Sequence, residues 1–433
     1  MAGMRDMNKL LHEIKTIRSS AVARNAGWMM AGQGTSVLLQ AAYFVILARL
    51  LGAEQYGIFA GAFALTSLAA QFSPLGSGTV FLRYVSHDRA AFSGYWANIL
   101  LVTIGFGGAI TLLMHFSAKY LVNPQSAMLV GLAGIANCVF AQLTIEVGRV
   151  FQTFEKLNIT ALLNLLTNLV RTLAAGAMLI FFHTATAWSW TVASTAVSAL
   201  AAIVAITVVS YYYGAPHIKT DLLRKHGWEG FGYSFAASTT SAYNDLDKTM
   251  LSHYGMNLQT GIYTMAYRIV DIVTIPIFSI RDAALPRLFQ KGRSGIGPTA
   301  ELAYRLLKRA FSISVILCAL MFLCAPLIPR IVGISFTPSV LALRWLCLIP
   351  IFRSVHQMTG CALTGAGLQS YRTAMQMIAV GINFGLNLWL IPHYGWHGAA
   401  WSSLATDAAL AIANWGTLWF LTNYCGTLRT STE

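Results

Sequence analysis

The amino-acid sequence predicts an all-α integral membrane protein with about twelve transmembrane helices arranged as two six-helix lobes. Of its 433 residues, 56% are hydrophobic and only 10% are charged, whereas a typical soluble domain carries about 25% charged residues. Apolar stretches of about 20 residues recur along the chain, and a repeat relates its two halves. This composition argues against a cytosolic enzyme, a secreted disulfide scaffold and a disordered regulator.

The first 24 residues form a basic segment without the apolar core of a cleavable signal peptide. Met7, Ile14 and Ile17 recur at helical spacing, with basic residues between them. Residues 1–24 are therefore predicted to form a short amphipathic helix on anionic lipids of the cytoplasmic leaflet. A frayed polar tail is the alternative.

Twelve apolar stretches follow, each long enough to cross a hydrocarbon core of about 30 Å. Their approximate limits are residues 25–49, 56–82, 94–117, 126–148, 157–182, 187–212, 228–252, 260–284, 305–329, 338–363, 370–391 and 396–424. The predicted organisation is an N-lobe at 25–213, a cytoplasmic linker at 214–227, a C-lobe at 228–425 and a cytoplasmic tail at 426–433. All connections are short, so no segment outside the membrane is long enough for a catalytic domain.

The charge distribution predicts the orientation of the chain. The net charge is +14, from 29 Lys and Arg against 15 Asp and Glu, which in a soluble protein suggests a nucleic-acid partner. Here most basic residues fall in alternate connections, and Arg49, Lys119, Lys248 and Arg330 are the exceptions on the opposite side. This positive-inside bias places both termini in the cytoplasm and removes the case for nucleic-acid binding.

An internal repeat links the first hairpin of each half. Residues 48–59 and 251–263 both read as a glycine turn, a few polar residues and then Gly-Ile-aromatic, about 204 residues apart. Two six-helix halves in parallel order are the simplest architecture that explains this match. A chance match between two glycine turns is the alternative.

Several motifs of energy coupling and catalysis are absent from the sequence. There is no GxxxxGK[ST] phosphate loop, no HExxH, no GxSxG elbow and no His/Cys cluster with metal-ligand spacing. The chain is therefore expected not to be an enzyme and to hold no cofactor or metal. Transport would run on an ion gradient, on the membrane potential or on the gradient of the substrate itself.

Ionisable residues inside the spans are the candidate functional groups, because charge at membrane depth is costly. In the tenth span, Arg353, His356 and Gln357 share one helical face. In the eighth span, Arg268 and Asp271 are three residues apart and form either a functional site or a locking ion pair.

The seventh span is too polar to face lipid and is predicted to line a water-filled cavity. Its polar residues include Asn244, Asp245, Asp247 and Lys248. Mid-span Arg171 and Asp407 are secondary candidates, with structural pairing favoured over a substrate role.

The basic residues at cavity depth predict an anionic ligand, since the planar guanidinium of Arg binds phosphate through two parallel hydrogen bonds. Asp245, Asp247 and Asp271 are candidates for coupling transport to H⁺ or Na⁺. Residues 73–78 interrupt the second span and Pro276 the eighth. Such breaks permit bending between two states, or are passive kinks.

Several short motifs, in this order and spacing, resemble the Wzx-type oligosaccharide flippases, the polysaccharide transporter family of the MOP superfamily that also contains MATE transporters. They are Arg-Asn-Ala-Gly-Trp at 24–28, Ala-Arg-Leu-Leu-Gly-Ala-Glu-Gln-Tyr-Gly at 48–57, Asp-Leu-Asp-Lys at 245–248, Gly-Ile-Tyr-Thr-Met-Ala-Tyr-Arg at 261–268, Asn383, Asn387, and Ile-Pro-His-Tyr-Gly-Trp-His-Gly-Ala-Ala at 391–400. The resemblance covers nearly the whole chain.

This resemblance implies a MATE-like bundle of twelve helices around a central cavity in the bacterial inner membrane. It implies movement of an undecaprenyl-pyrophosphate-linked oligosaccharide to the outer leaflet for surface polysaccharide such as O-antigen, capsule or exopolysaccharide. A glycan polymerase and a chain-length regulator are implied partners. The cationic cavity would then be formed by Arg24, Arg49, Lys248, Arg268 and Arg353.

Two other functions compete with a flippase. A MATE-like, cation-coupled multidrug antiporter would need an acidic or aromatic cavity with few cations, against which Arg268 and Arg353 argue. A membrane enzyme such as a glycan polymerase or acyltransferase usually needs a sizeable outer loop, and the outer loops of this chain are short.

Overall fold

The computed structural model describes residues 21–182, 185–218, 221–222 and 229–425. These residues form helices joined by short turns, and no β-strand occurs among them. The described residues leave out 1–20, most of the second half of the predicted linker and the tail at 426–433. The surface helix at 1–24, the linker at 214–227 and the cytoplasmic tail therefore stay predictions.

Among the described residues up to Tyr213, the first half contains seven α-helices, three of them short. They are α1 (Ala21–Ala70), α2 (Ser77–Val85), α3 (Phe92–Leu121), α4 (Pro124–Gly134), α5 (Gln142–Thr153), α6 (Leu157–Phe181) and α7 (Ala187–Tyr213). Gly52, with φ 68°, breaks α1 between the first and second predicted spans. A π-helical turn, Ile135–Ala141, joins α4 and α5 into one crossing.

The second half also consists mainly of long helices joined by short turns. It contains α8 (Phe231–His253), α9 (Asn257–Gly292), α10 (Ile296–Cys324), α11 (Ile328–Val332), α12 (Ser339–Leu346), α13 (Ile349–Gly365), α14 (Gln369–Tyr394) and α15 (Trp396–Phe420). Together, α12 and α13 make the tenth predicted span.

The predicted fold class is confirmed. In the described part of the chain, eight helical stretches are long and apolar enough to cross a membrane, and the first of them, Gly34–Ala70, overlaps the first two predicted spans. The remaining three spans are α8, α9 and α15, which are long but more polar. Large side chains on the outside of the bundle, such as Phe116, Phe181 and Ile412, are exposed because lipid is their solvent.

The two halves pack against each other mainly through α1, which contacts α8 and α9. A buried cluster at this junction includes Leu47 and Tyr56 from α1 and Tyr263 and Tyr267 from α9. The candidate functional site lies beside this cluster, so α1, α8 and α9 position most of its side chains.

The repeated segments play equivalent structural roles in the two halves. The Gln55 side-chain oxygen accepts a hydrogen bond from the Ala187 amide at the start of α7, at 2.9 Å. The Gln259 side-chain oxygen accepts one from the Trp396 amide at the start of α15, also at 2.9 Å. Each glutamine therefore satisfies one of the amides left free at the first turn of the last long helix in its half.

Gly57 and Gly261, the glycines of the Gly-Ile-aromatic repeat, bring α1 and α9 into backbone contact. A Cβ atom at Gly57 would lie 1.8 Å from the Asn257 carbonyl oxygen, and one at Gly261 would lie 1.9 Å from the Ala53 carbonyl oxygen. Only glycine permits so close an approach, which is a common way for membrane helices to pack tightly.

Gly57→Ala is expected to destabilise the protein by about 1–3 kcal/mol, because its methyl group forces the two backbones apart. Gly105→Ala is the matched control, since nothing lies within 4 Å of a Cβ atom at that helical position. Thermal unfolding in detergent measures both variants. A melting temperature for Gly57→Ala equal to that of Gly105→Ala would contradict the proposed close contact.

Candidate functional site

A cavity of about 120 Å³ lies between the two halves, where α1 and α6 face α8 and α9. The residues that line it are Gln40, Tyr43, Phe44, Tyr56, Phe59, Ala60, Phe63, Ala64, Asn168, Arg171, Asp245, Lys248, Thr264 and Arg268. Three of the predicted site residues in this lining are cationic and one is acidic. Aromatic rings from α1 cover much of the rest.

Arg171, on α6, is the cavity cation that has no carboxylate within 4 Å among the described residues. Its guanidinium donates to the Ser198 hydroxyl at 3.3 Å and lies 5.9 Å from the centre of the Tyr43 ring. Its Nε is buried without a hydrogen-bond acceptor in that same part of the chain. Arg171 therefore keeps donors available for a ligand. Its position in the cavity favours a substrate role, whereas the sequence analysis favoured a structural pairing and named it a secondary candidate.

Lys248, on α8, is by contrast already neutralised within its own helix. Its ammonium lies 3.1 Å from the Asp245 carboxylate and 3.6 Å from that of Asp247, and it also donates to the Asn244 carbonyl. The ring of Tyr267 lies 4.2 Å away. The side chain is almost fully buried, so Lys248 contributes less free positive charge to the cavity than the sequence alone suggests.

Arg268, on α9, borders both the cavity and a second space. Its guanidinium lies 3.7 Å from the Asp271 carboxylate and 5.1 Å from the centre of the Phe44 ring. The second space is an apolar groove of about 400 Å³ between α1, α9 and α10. Phe44 lines this groove too, and the other lining side chains, such as Ile272 and Leu320, are almost all hydrophobic. We call it the apolar groove.

Arg353, on α13, does not line the cavity but lies behind it in a buried network. It donates to Asp271 at 3.1 Å, to the Asn244 side-chain oxygen at 3.1 Å and to the Tyr267 hydroxyl at 2.7 Å. Its Nε lies 3.8 Å from Asp407 on α15. With a side chain only 3% exposed, Arg353 ties α8, α9, α13 and α15 together.

Two carboxylates extend this network. Asp407 is also 3.2 Å from His356, one turn after Arg353 on α13. The fully buried Asp247 accepts hydrogen bonds from Tyr263 and, at 3.0 Å, from Ser403. Removing one partner of such a buried pair would leave an uncompensated charge, so these groups constrain the packing of α8, α9, α13 and α15.

The other predicted site residues lie elsewhere. Arg49 is exposed at the predicted outer end, where it donates to the backbone carbonyls of Ile331 at 2.6 Å and Arg330 at 3.0 Å. Gln357 accepts from Arg281 at 3.1 Å, towards the predicted cytoplasmic side. The side chain of Arg24 lies outside the described residues. The structure brings Arg49 and Gln357 to neither the cavity nor the apolar groove.

Sequence reasoning named Arg171 on α6 as a secondary candidate but missed Asn168 on the same helix and the lining residues of α1. Asn168 lies in the cavity beside Arg171, and their i,i+3 spacing in an apolar helix was a usable signal. Gln40 also lies in the lining, in the polar part of the first span. The sequence could not identify Tyr43 and Tyr56 as lining residues, because a tyrosine within a span serves equally well in helix packing.

Comparison with protein families gives a match over more than half of the chain. A family model described as "Polysaccharide biosynthesis protein" matches residues 22–291. This range includes the cavity lining. No curated protein matches the chain.

Solved structures share the fold. An inward-facing multidrug resistance MATE family transporter of the MOP superfamily is similar with a TM-score of 0.71 and 14% identity, over 90% of this chain and 96% of that one. The lipid II flippase MurJ, in an inward closed conformation, gives 0.69 and 14%, over 90% and 87%. A MOP superfamily transporter from Pyrococcus furiosus, with a binding pocket of reverse polarity, gives 0.61 and 15%, over 93% and 96%. At these identities the likeness shows the fold alone, a membrane-transporter fold.

Arg353→Met is expected to lower the free energy of unfolding by about 3–5 kcal/mol, because it removes the arginine beside the buried Asp407 and the closer of the two arginines that pair with Asp271. Arg344→Met is the matched control, since Arg344 is exposed and only stacks on Phe322 at 5.0 Å, a contact worth about 0.5–1 kcal/mol. Thermal unfolding in detergent compares them.

Adding Asp407→Asn to Arg353→Met is expected to restore part of the loss by removing the orphaned charge. Equal melting temperatures for Arg353→Met and Arg344→Met would show that the network does not stabilise the fold.

Proposed function

The chain belongs to the polysaccharide biosynthesis protein family, and on this premise we propose that it is a flippase for a lipid-linked oligosaccharide. It would carry an undecaprenyl-pyrophosphate-linked oligosaccharide from the cytoplasmic to the outer leaflet of the bacterial inner membrane. The product would be a surface polysaccharide such as O-antigen, capsule or exopolysaccharide. Alternating access of the two lobes would move the substrate.

The observation that carries this proposal is the position of Arg171. It faces the cavity between the lobes without a carboxylate partner among the described residues, while Arg268 lies across the same cavity on the other lobe. Arg binds phosphate through planar, charge-assisted pairs that persist at any physiological pH. A diphosphate between the two arginines would be bound by both lobes at once.

The apolar groove supports an amphipathic substrate. It opens from the cavity at Arg268 and Phe44, which border both spaces. The diphosphate of a polyprenyl carrier would lie in the cavity, and its isoprenoid chain would lie in the groove against α9 and α10. The aromatic rings of Tyr43 and Tyr56 would pack against sugar rings, as aromatic side chains commonly do in ligand pockets.

The size of the cavity supports alternating access. Its volume of about 120 Å³ is well below the roughly 300–1,000 Å³ typical of small-molecule sites. An oligosaccharide therefore requires the lobes to separate, and the described arrangement corresponds to a closed state between two open ones.

Asp271 is the best placed of the proposed coupling residues. It is partly exposed and lies between the cavity residue Arg268 and the buried Arg353. A diphosphate on Arg268 would compete with Asp271 for the guanidinium, and the freed carboxylate would then take up H⁺ or Na⁺. Asp245 and Asp247 are already engaged by Lys248, so we give them a smaller part in coupling.

The proposed setting follows from the charge distribution. The positive-inside bias places both termini in the cytoplasm. A glycan polymerase and a chain-length regulator in the same membrane would use the exported substrate.

The competing multidrug antiporter is less well supported by the cavity. A binder of organic cations needs acidic groups, yet Asp245 is the single carboxylate among its described lining residues, beside Arg171, Lys248 and Arg268. Efflux of cationic dyes by the purified protein in vesicles would favour this alternative.

Deletion of the gene tests the proposed function directly. Lipid-linked oligosaccharide is expected to accumulate on the cytoplasmic face, measured by extraction and mass spectrometry, and surface glycan is expected to fall. Normal surface glycan without accumulated intermediate would contradict the proposal.

Arg171→Gln is expected to lower glycan export about 10- to 100-fold, because a charge-assisted hydrogen bond contributes about 1.5–3 kcal/mol. Arg344→Gln is the control, because Arg344 is an exposed arginine on α12 that lines neither the cavity nor the apolar groove, and it is expected to leave export unchanged. Immunoblots of the membrane fraction check that both variants are equally abundant. Wild-type export by Arg171→Gln would exclude Arg171 from the site.

A further inference from the structure

The two halves also meet at the predicted cytoplasmic end, and this contact depends on a bend between α1 and α2. Leu75 and Gly76 both have positive φ, 45° and 68°, a backbone conformation that costs energy for leucine and marks functional sites. A Cβ atom at Gly76 would lie 2.1 Å from the Gly230 carbonyl oxygen, just before α8. The backbone of the bend at Gly76 is therefore in direct contact with the backbone of the second half at Gly230.

Polar side chains add hydrogen bonds and an ion pair to this backbone contact. Arg83, on α2, forms an ion pair with Glu229 at 2.7 Å, and the Tyr84 hydroxyl donates to the same carboxylate at 3.1 Å. We call the meeting of residues 75–76 and 83–84 with residues 229–230 the inner-end contact. In the alternating access proposed above, this contact breaks whenever the cavity opens towards the cytoplasm.

Glu146, on α5, lies directly beneath this bend. Its side chain is 0% exposed, and neither carboxylate oxygen has a hydrogen-bond donor among the described residues. A Cβ atom at Gly78, two residues after the bend, would lie 1.6 Å from one of these oxygens. The carboxylate thus occupies the space that a side chain at position 78 would otherwise fill.

Arg149 is the ionic partner of Glu146 within 4 Å in the described part of the chain, at 3.0 Å, and its own side chain is 36% exposed. No amide in the first turn of α2 donates to Glu146 there. The other charged and titratable side chains on the elements packed against α5 are Arg83, Tyr84, Tyr95, His115, Lys119, Tyr120, Cys138, Arg171, Tyr211, Tyr212 and Tyr213. None of them forms a hydrogen bond or ion pair with Glu146 in that same part.

A carboxylate in this position is costly as an anion and acceptable as a neutral acid, because a buried charge needs full pairing and hydrogen bonding. In the proposed cycle, opening the inner end would separate the bend from Gly230 and would admit water to Glu146, in which the anion is stable. We propose that Glu146 is a proton-binding site that keeps the inner-end contact closed while it is protonated. The inference rests on the proposed alternating access and adds a second protonation site, in the other half of the chain from Asp271.

Distance measurements on the full-length protein in lipid nanodiscs test this proposal without substrate. Spin labels are introduced by His87→Cys and Tyr233→Cys, one exposed position on each side of the inner-end contact, after replacement of the native cysteines. The closed-to-open ratio is expected to rise on acidification, by up to about tenfold per pH unit for a single proton. A wild-type distance distribution that does not change with pH would overturn the proposal.

Glu146→Gln, which mimics the protonated acid, is expected to stay closed at acidic and alkaline pH alike. Glu146→Asp is expected to keep a pH response, and Glu301→Gln, at an exposed site paired with Arg305, is expected to behave as wild type. Retention of the full wild-type response by Glu146→Gln would overturn the proposal.

Arg149→Gln provides an independent variant in case Glu146→Gln does not fold. Loss of the one ionic partner that Glu146 has among the described residues is expected to move the response towards higher pH, because the anion is then less stable in the closed state. An unchanged midpoint in Arg149→Gln would also overturn the proposal. Because distances are measured without substrate, a failure here leaves the flippase proposal to be judged by glycan export.

Discussion

Charges inside a membrane protein must be neutralised by one another, since no water is present to solvate them, and this constraint organises the interior of the chain. Asp271 connects Arg268 on α9 with Arg353 on α13. Asp407 connects Arg353 with His356, and Lys248 lies between two aspartates on α8. The ion pairs join α9, α13 and α15, and hydrogen bonds from Arg353 to Asn244 and from Ser403 to Asp247 add α8. Most of the intramembrane charge therefore has a structural role before it has any role in transport.

The same constraint decides what the sequence could and could not predict. The helical segments follow from local composition, and the two copies of the repeat predicted from the sequence contain Gln55 and Gln259, which make equivalent hydrogen bonds in the two halves. The pairing of Arg353 with Asp271 depends on contacts between residues far apart in the chain, which no local pattern encodes. For that reason Arg353 was predicted in the cavity and lies behind it, while Arg171 was ranked lower and lies in it.

The two ends of the bundle are closed by contacts of different strength. At the predicted outer end, Gly57 and Gly261 bring two backbones together, and Asn123 donates to Ser252 at 2.9 Å and Asn257 at 2.7 Å in a largely buried network. At the other end, the inner-end contact relies on a glycine approach and an ion pair whose Arg83 is mostly exposed. Exposed ion pairs contribute little to stability. The inner end is therefore the weaker closure and the one more easily controlled by a single proton.

An arginine that faces a closed cavity without a carboxylate partner is an exception to the pairing found elsewhere in this interior. Leaving Arg171 partly unpaired costs stability, and such a cost is typical of a site that a ligand completes. In the proposed cycle a diphosphate supplies the missing negative charge to Arg171 and takes Arg268 from Asp271. Because both lobes then share one anion, the loaded protein can close around its substrate without burying an unpaired charge. Without substrate, closing leaves Arg171 without that negative charge, so the substrate itself would favour the closed intermediate through which transport must pass.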